Sequence, residues 1–105
     1  MLIVEHSDRP LYTIGVAAEM VRLHPQTLRR YEELGLVSPA RASGRRFYSQ
    51  HDIDRLLQIV RLTDELGVNL AGVEVILRLR ERVSELQAEN ESIRAQLGET
   101  EQPLS

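Results

Sequence analysis

The architecture of this chain follows from residues 24–48, HPQTLRRYEELGLVSPARASGRRFY. This stretch contains five arginines and only two acids, whereas the whole chain of 105 residues has a net charge of −3. An excess of positive charge within an acidic protein indicates one cationic surface that serves one function.

The first part of this stretch predicts a short helix. His24 can cap it, and Pro25 suits the first helical position because its missing N–H would be unpaired there. Gly35 ends the helix, because glycine readily adopts the left-handed conformation that closes a last turn. At about 100° per residue, Leu28 and Tyr31 fall on one side of this helix. The opposite side is polar and mostly basic and consists of Gln26, Arg29, Arg30 and Glu33.

Two elements flank the basic helix. Residues 41–48, RASGRRFY, form two short runs around a turn signal at Ser43 and Gly44, which predicts a β-hairpin that acts as a wing. Upstream, Thr13 can cap a short helix. Residues 22–24 then link this helix to the basic helix, which predicts a helix-turn-helix. In such a motif the second helix lies in the major groove of DNA. The first helix has apolar positions at helical spacing, namely Ile14, Ala17, Ala18 and Val21.

Residues 13–39 and 44–49 resemble the winged helix-turn-helix of the MerR-type transcription regulators. This family has the pattern T-L-R-x-Y-E-x-x-G-L followed by a wing that reads G-x-R-x-Y-S. The resemblance implies a mostly α-helical fold with double-stranded DNA as the partner and a short strand at residues 12–14 beside the wing. Residues 24–29, HPQTLR, and 67–72, GVNLAG, are most similar to the HspR branch, the repressors of bacterial chaperone operons. The pattern is matched by Thr27, Leu28, Arg29, Tyr31, Glu32, Gly35, Leu36, Gly44, Arg46, Tyr48 and Ser49.

A third helix follows the wing and serves as scaffold. Ser49 and Asp52 have the spacing of a capping box, Gly67 ends the helix, and Asn69 caps the next one. Its apolar stripe is predicted to contain Ile53, Leu56, Leu57, Ile59, Val60, Leu62 and Leu66.

The C-terminal part predicts a long helix with a dimerisation seam. Apolar positions step alternately by three and four residues, and a polar helix of this length cannot bury such a row alone. We therefore expect a homodimer, which also suits a protein that contacts two DNA half-sites; the alternative is that the row folds back onto its own domain. Asn90 favours parallel helices, whereas the resemblance implies an antiparallel coiled coil, and both directions stay open. The seam is Ile76, Leu79, Val83, Leu86, Asn90, Ile93 and Leu97.

The predicted domain organisation is an N-terminal arm at 1–10, a DNA-binding domain at 11–75, the coiled-coil dimerisation helix at 76–97 and a disordered tail at 98–105. Residues 2–4, LIV, fit either a frayed arm or a strand added to the wing. The absence of cysteine excludes disulfides and the cysteine-based metal sensors of the family. No stretch is apolar and long enough for a signal or membrane segment, so a cytoplasmic location is expected. A small-molecule effector domain is not expected.

The predicted function is a sequence-specific DNA-binding repressor of heat-shock and chaperone genes that binds an inverted repeat as a homodimer. The resemblance implies a DnaK-type chaperone as co-repressor. The alternatives are a MerR-type activator that distorts promoter DNA and a coiled-coil adaptor that binds no DNA. An enzyme is not expected, because the three histidines lie on different segments and no nucleophile motif or phosphate loop is present. No metal or cofactor is expected.

The residue types assign roles in DNA binding. Base edges are assigned to Gln26, Thr27 and Arg30, and Arg29 could serve either a base or the backbone. Arginine forks and tyrosine hydroxyls suit phosphate oxygens, although a tyrosine ring can also serve only for packing. Phosphate contacts are therefore assigned to Tyr31, Arg45, Arg46 and Tyr48.

Overall fold

The computed structural model describes residues 8–98, and these are mostly helical. The chain divides into two compact units, Met1–Asn69 and Leu70–Ser105. Residues 1–7 of the predicted arm and 99–105 of the predicted tail lie outside the described residues. The elements in order are β1 (Tyr12–Thr13), α1 (Ile14–Val21), α2 (Pro25–Glu33), β2 (Ala40–Ala42), β3 (Arg45–Tyr48), α3 (Gln50–Val60) with a π-helical turn at Arg61–Glu65, and α4 (Leu70–Leu97).

The first helix, α1, begins and ends through local hydrogen bonds. The Thr13 hydroxyl oxygen accepts the Val16 N–H at 3.4 Å, which confirms the predicted cap. Arg22 has a left-handed backbone with φ of 60°, and the following Leu23 N–H donates to the Ala18 carbonyl at 3.0 Å. This closure turns the chain sharply after α1, so that α2 starts only a few residues later. The predicted apolar face is buried at Ala17, Ala18 and Val21.

The second helix, α2, begins and ends where its sequence predicted. The Gln26 N–H donates to His24 Nδ1 at 2.9 Å, and Pro25 occupies the first turn. At the other end, Gly35 has φ of 78°, and the Leu36 N–H bonds to the Tyr31 carbonyl at 2.9 Å. Capping and the left-handed glycine therefore fix the length of this helix locally.

The His24 cap can be tested by substitution. His24→Ala should lower the free energy of unfolding by about 1 kcal/mol, because the Gln26 N–H loses its acceptor. His24→Asn should retain most of the stability, since asparagine offers an acceptor at the same place. Urea denaturation followed by circular dichroism measures both. An equal loss in the two variants would contradict the capping role.

The wing is an antiparallel hairpin of β2 and β3. Its turn residues Ser43 and Gly44 have φ of 52° and 76°, the pair of positive values that a two-residue I′ hairpin turn needs. β1 pairs with the outer side of β3, with Tyr12 opposite Tyr48, so the strand order is β1-β3-β2. The short strand that the resemblance implied is thus present at Tyr12–Thr13, and it joins the wing directly to the start of α1.

The third helix, α3, supplies much of the core of the first unit. Ser49 and Asp52 form the predicted capping box, with reciprocal hydrogen bonds of 2.9 and 3.0 Å. The predicted apolar stripe was too wide, because Leu57 and Leu66 are 46% and 60% exposed. Helical spacing marks a broad face, but only part of it meets other elements in so small a core. The buried positions are Ile53, Leu56, Ile59 and Leu62.

The second unit is a single helix, α4, of 28 residues. Its seam positions Leu79 and Leu86 are 58% and 45% exposed. Asn90 accepts a hydrogen bond from Arg94 Nε at 3.1 Å through its side-chain oxygen. The helix therefore carries a long apolar row that is open along most of its length. Within the described part of the chain, no helix is long and apolar enough to cross a membrane.

Candidate DNA-binding surface

The outward face of α2 has the polar and basic character that its sequence predicted. Gln26, Arg30 and Glu33 are exposed, and Arg29 is half-buried. Arg29 Nη1 donates to the Gln26 side-chain oxygen at 3.0 Å, which orients both groups on the surface. An α-helix with its side chains is about 10–12 Å across, which fits a DNA major groove about 12 Å wide.

A groove of about 330 Å³ lies between α2, the start of α1 and the wing. Three arginines from two separate elements are among its lining residues, which brings positively charged side chains close together. Such a site suits an anionic group the size of a phosphate. The groove is lined by Thr13, Ile14, Arg29, Gly44, Arg45 and Arg46.

The wing arginines differ in their partners. Arg46 Nε donates to one carboxylate oxygen of Glu32, and Arg41 Nη2 lies 3.4 Å from the other. Arg45 is exposed and makes no ion pair within residues 8–98. Arg45 is thus free to meet a phosphate, whereas Arg46 already has an anionic partner in the protein.

The charge state of Glu32 follows from these contacts. Burial alone raises the pKa of Glu32, but the hydrogen bonds and positive charges of Arg46 and Arg41 outweigh it and hold the pKa below its ordinary value. The hydrogen bond from Arg46 to Glu32 correspondingly raises the pKa of Arg46. The carboxylate is therefore ionised at neutral pH and remains bound to the wing.

Both tyrosines assigned to phosphates lie inside the fold rather than on its surface. Tyr31 is 8% exposed and Tyr48 is fully buried, and burial raises the pKa of each hydroxyl. Among the described residues, the Tyr48 hydroxyl has no hydrogen-bond partner. A phosphate cannot reach that hydroxyl unless the wing moves, so the structure favours the packing role for Tyr48.

Tyr48→Phe separates the two roles of this side chain. Removal of an unpartnered buried hydroxyl should raise the free energy of unfolding by about 1 kcal/mol, with DNA affinity unchanged. Thermal unfolding and a DNA titration at fixed salt measure these two quantities. A loss of affinity of about fivefold or more would instead show that the hydroxyl contacts the DNA backbone.

Sequence reasoning missed the part that Glu32 plays. The signals were an acid on the flank of a basic helix and its place in the family pattern, but spacing could not pair it with wing residues 9 and 14 positions away. The predicted groups Gln26, Arg29 and Arg45 do come together around the groove and the adjoining face of α2. In the range 8–98, no cluster of His, Asp and Glu that could hold a metal ion is present.

Comparisons of the sequence agree with this arrangement. The family model described as MerR HTH family regulatory protein matches residues 12–79. The chain is 50% identical over 91 residues to the heat shock protein HspR of Streptomyces coelicolor, which covers 86% of this chain and 60% of that protein. It is 39% identical over 82 residues to the transcriptional regulator GlnR of Bacillus cereus, covering 77% of this chain and 63% of that protein. The chain thus spans 60% to 63% of the length of these curated relatives.

Solved structures show the same fold. The transcription regulator PbrR691 of Ralstonia metallidurans CH34, solved in complex with lead(II), aligns with a TM-score of 0.63 and 28% identity over 83% of this chain and 71% of that chain. HiNmlR, a MerR family regulator lacking the sensor domain and bound to promoter DNA, aligns with a TM-score of 0.58 over 85% of this chain and 74% of that chain. At 23% identity, this second likeness concerns the fold alone.

GlnR and PbrR691 are named as transcription regulators and the family model describes a regulatory protein, which confirms the prediction that the chain is not an enzyme. The family model covers well over half of the chain, and the elements within it are the two linked helices, the wing and the scaffold helix described above. This chain therefore belongs to the MerR family of helix-turn-helix transcription regulators.

Proposed function

We propose that this chain is a sequence-specific DNA-binding repressor of heat-shock and chaperone genes that binds an inverted repeat as a homodimer. The observation that carries the DNA-binding part is the exposed basic face of α2 beside a groove lined by Arg29 and Arg45. The repressor part is supported by 50% identity to a protein named as the heat shock protein HspR. HiNmlR, which has the same fold, is named as bound to promoter DNA, and the proposal extends that ligand to this chain.

Within this proposal, α2 reads bases and the wing holds the backbone. Gln26, Thr27 and Arg30 contact base edges in the major groove, as amide, hydroxyl and guanidinium groups do. Arg29 lies beside the groove and serves either a base or a phosphate, and Arg45 contacts a phosphate. Tyr31 and Tyr48 are buried, and they stabilise this surface by packing in the core beneath it.

The homodimer is proposed from α4. An apolar row that is about half exposed along a long helix is a typical surface for packing against another helix. Association is favourable because each Å² of apolar surface removed from water contributes roughly 25 cal/mol of free energy. Two copies related by a two-fold axis would present two α2 helices to two half-sites. This symmetry is the reason for proposing an inverted repeat as the target.

A DnaK-type chaperone is the proposed co-repressor, supported by the similarity to HspR alone. The decisive experiment selects bound sequences from a pool of random duplex DNA, with and without a purified DnaK-type chaperone. We expect an inverted repeat in both pools and tighter binding when the chaperone is present. Selected sequences that lack an inverted repeat would overturn the dimer proposal. An affinity for DNA that the chaperone leaves unchanged would overturn the proposal of a co-repressor.

Two other functions remain to be separated by experiment. MerR-type activators that distort promoter DNA share this fold, and transcription in vitro from a promoter carrying the selected site distinguishes them by the sign of the effect. A coiled-coil adaptor would instead bind an acidic protein through the basic face of α2, and its binding to DNA would not depend on sequence.

A further inference from the structure

Glu32 connects the recognition helix to both strands of the wing. Its two carboxylate oxygens accept from different residues: one from Arg46 Nε on β3, the other from Arg41 Nη2 on β2 at 3.4 Å. We refer to Glu32, Arg41 and Arg46 as the Glu32 bridge. It is an ionic contact that links α2 to the two strands of the wing.

The register of the hairpin explains why the wing needs an acid at this place. Arg41 and Arg46 lie directly opposite each other in the antiparallel pair, so their side chains share one face of the wing. Two like charges in that position repel each other and destabilise the strand pair. A carboxylate that accepts hydrogen bonds from both arginines offsets this repulsion. The same two contacts attach the wing to α2.

The same register leaves Arg45 on the other face. Successive side chains of a strand leave it on opposite sides, so the Arg45 side chain is not on the face that carries Arg41 and Arg46, although Arg45 and Arg46 both line the groove. Arg45 lies opposite the small residue Ala42 and is exposed, whereas the Arg46 side chain is only 22% exposed. The wing therefore has one face attached to the protein and one face with a free cation.

The contact between Arg46 and Glu32 is the stronger part of the bridge, because the Arg41 side chain is 52% exposed. The side chains of Glu32 and Arg46 are both 22% exposed, whereas those of the α4 pair Arg82 and Glu85 are 63% and 65% exposed. Less water around two charges means less screening and a stronger attraction. A DNA phosphate that approached the remaining N–H groups of Arg46 would also meet the negative charge of Glu32, which opposes that contact.

We propose that Glu32 is a positioning residue of the DNA-binding surface, which fixes the wing against α2 and withholds Arg41 and Arg46 from DNA phosphates. The number of phosphates that the wing contacts is then set by Arg45 rather than by three arginines. Glu32 thereby limits binding to random DNA and favours the sequences that α2 reads. This inference rests on the proposed DNA-binding function.

The test compares Glu32→Gln with Glu33→Gln. Both changes remove one negative charge from the same helix, but Glu33 is exposed and makes no ion pair in the described range 8–98. Glu32→Gln should release one or two guanidinium groups, so the slope of log affinity against log salt should steepen by about 0.9 for each new phosphate contact. Affinity for random DNA at low salt should rise about threefold to tenfold, and the ratio of selected to random DNA should fall. Glu33→Gln removes a charge from the same helix without releasing a guanidinium group, so it should steepen the salt slope less than Glu32→Gln does.

The arginine variants provide a second test that does not depend on Glu32. Arg45→Gln should lower the salt slope by about one unit, whereas Arg46→Gln should leave it nearly unchanged. The double variant Glu32→Gln/Arg46→Gln should have a smaller increase in slope than Glu32→Gln alone, because one of the two released groups is gone. Thermal unfolding of each variant checks that the first unit remains folded.

The outcomes separate this inference from the function on which it rests. If the unaltered protein binds no DNA, the proposed function is wrong. If it binds DNA and Glu32→Gln, while folded, leaves the salt slope unchanged or makes it shallower, the positioning role is wrong. An Arg46→Gln variant that lowers the slope as much as Arg45→Gln would also overturn it, since Arg46 would then be contacting phosphate directly.

Discussion

Leu86→Lys should convert the protein from a dimer to a monomer and lower its affinity for an inverted repeat by about 100-fold or more. Leu86 is 45% exposed in the middle of the α4 row, where a partner helix would bury it. A lysine there would place a charge in an apolar interface without a partner, at a cost of several kcal/mol. Loss of the second subunit then removes the gain from binding two half-sites at once.

The matched control for this variant is Ala88→Lys. Ala88 is exposed on the same helix, two residues further along and away from the row, so it introduces the same side chain without entering the seam. It should remain dimeric and keep its affinity for the inverted repeat. Sedimentation gives the oligomeric state, and titrations with full-site and half-site DNA give the two affinities.

The Leu86→Lys variant also distinguishes a dimer from a helix that folds back on its own chain. In a dimer, the variant loses full-site binding but retains weak binding to a half-site, because each first unit still carries α2. A fold-back arrangement would leave the oligomeric state unchanged and lower thermal stability instead. A dimeric Leu86→Lys variant with full affinity would refute the proposed seam.

Arg30→Ala should weaken binding to the selected sequence by about 1–3 kcal/mol, roughly 5- to 150-fold, and relax the preference at one base pair. Arg30 is exposed in the last turn of α2, on the same outward face as Gln26. An arginine fork that bonds the edge of a guanine loses both hydrogen bonds when it is truncated. The remaining contacts to phosphates should be unaffected.

Arg45→Ala is the appropriate comparison for Arg30→Ala, because both remove one exposed arginine from the cationic surface. The wing variant should weaken selected and random DNA about equally and reduce the salt slope by about one unit. Fluorescence anisotropy with both DNA classes at several salt concentrations measures the difference. If Arg30→Ala lost affinity for both classes equally, α2 would be holding the backbone rather than reading bases.

Much of the DNA-binding surface was predictable because its elements are specified locally. His24 and Pro25 start α2, and Gly35 ends it, through capping and backbone preferences that act within one turn. The Ser43 and Gly44 turn defines the wing by the same kind of local constraint. Helical spacing then assigned Leu28 and Tyr31 to the inside and Gln26 and Arg30 to the outside.

Local rules were less informative where one element meets another. Leu57 belongs to the predicted stripe of α3 but is 46% exposed, because periodicity defines a face and not the extent of what covers it. Tyr48 has a residue type that suits a phosphate, yet it lies in the core beneath the wing. In both cases, the exposure of the side chain depends on whether distant parts of the chain cover it.

The amino-acid sequence alone determined the family, the order of the elements, the ends of α2 and the basic face that this helix exposes, because caps, turns and helical periodicity depend on neighbours within a few residues. Only the tertiary structure decided which arginines of the wing are free. Arg41 and Arg46 lie opposite each other through strand register, and Glu32 meets them because α2 packs beside the wing. Charge pairing at such a junction depends on distances in space, which spacing along the chain does not encode.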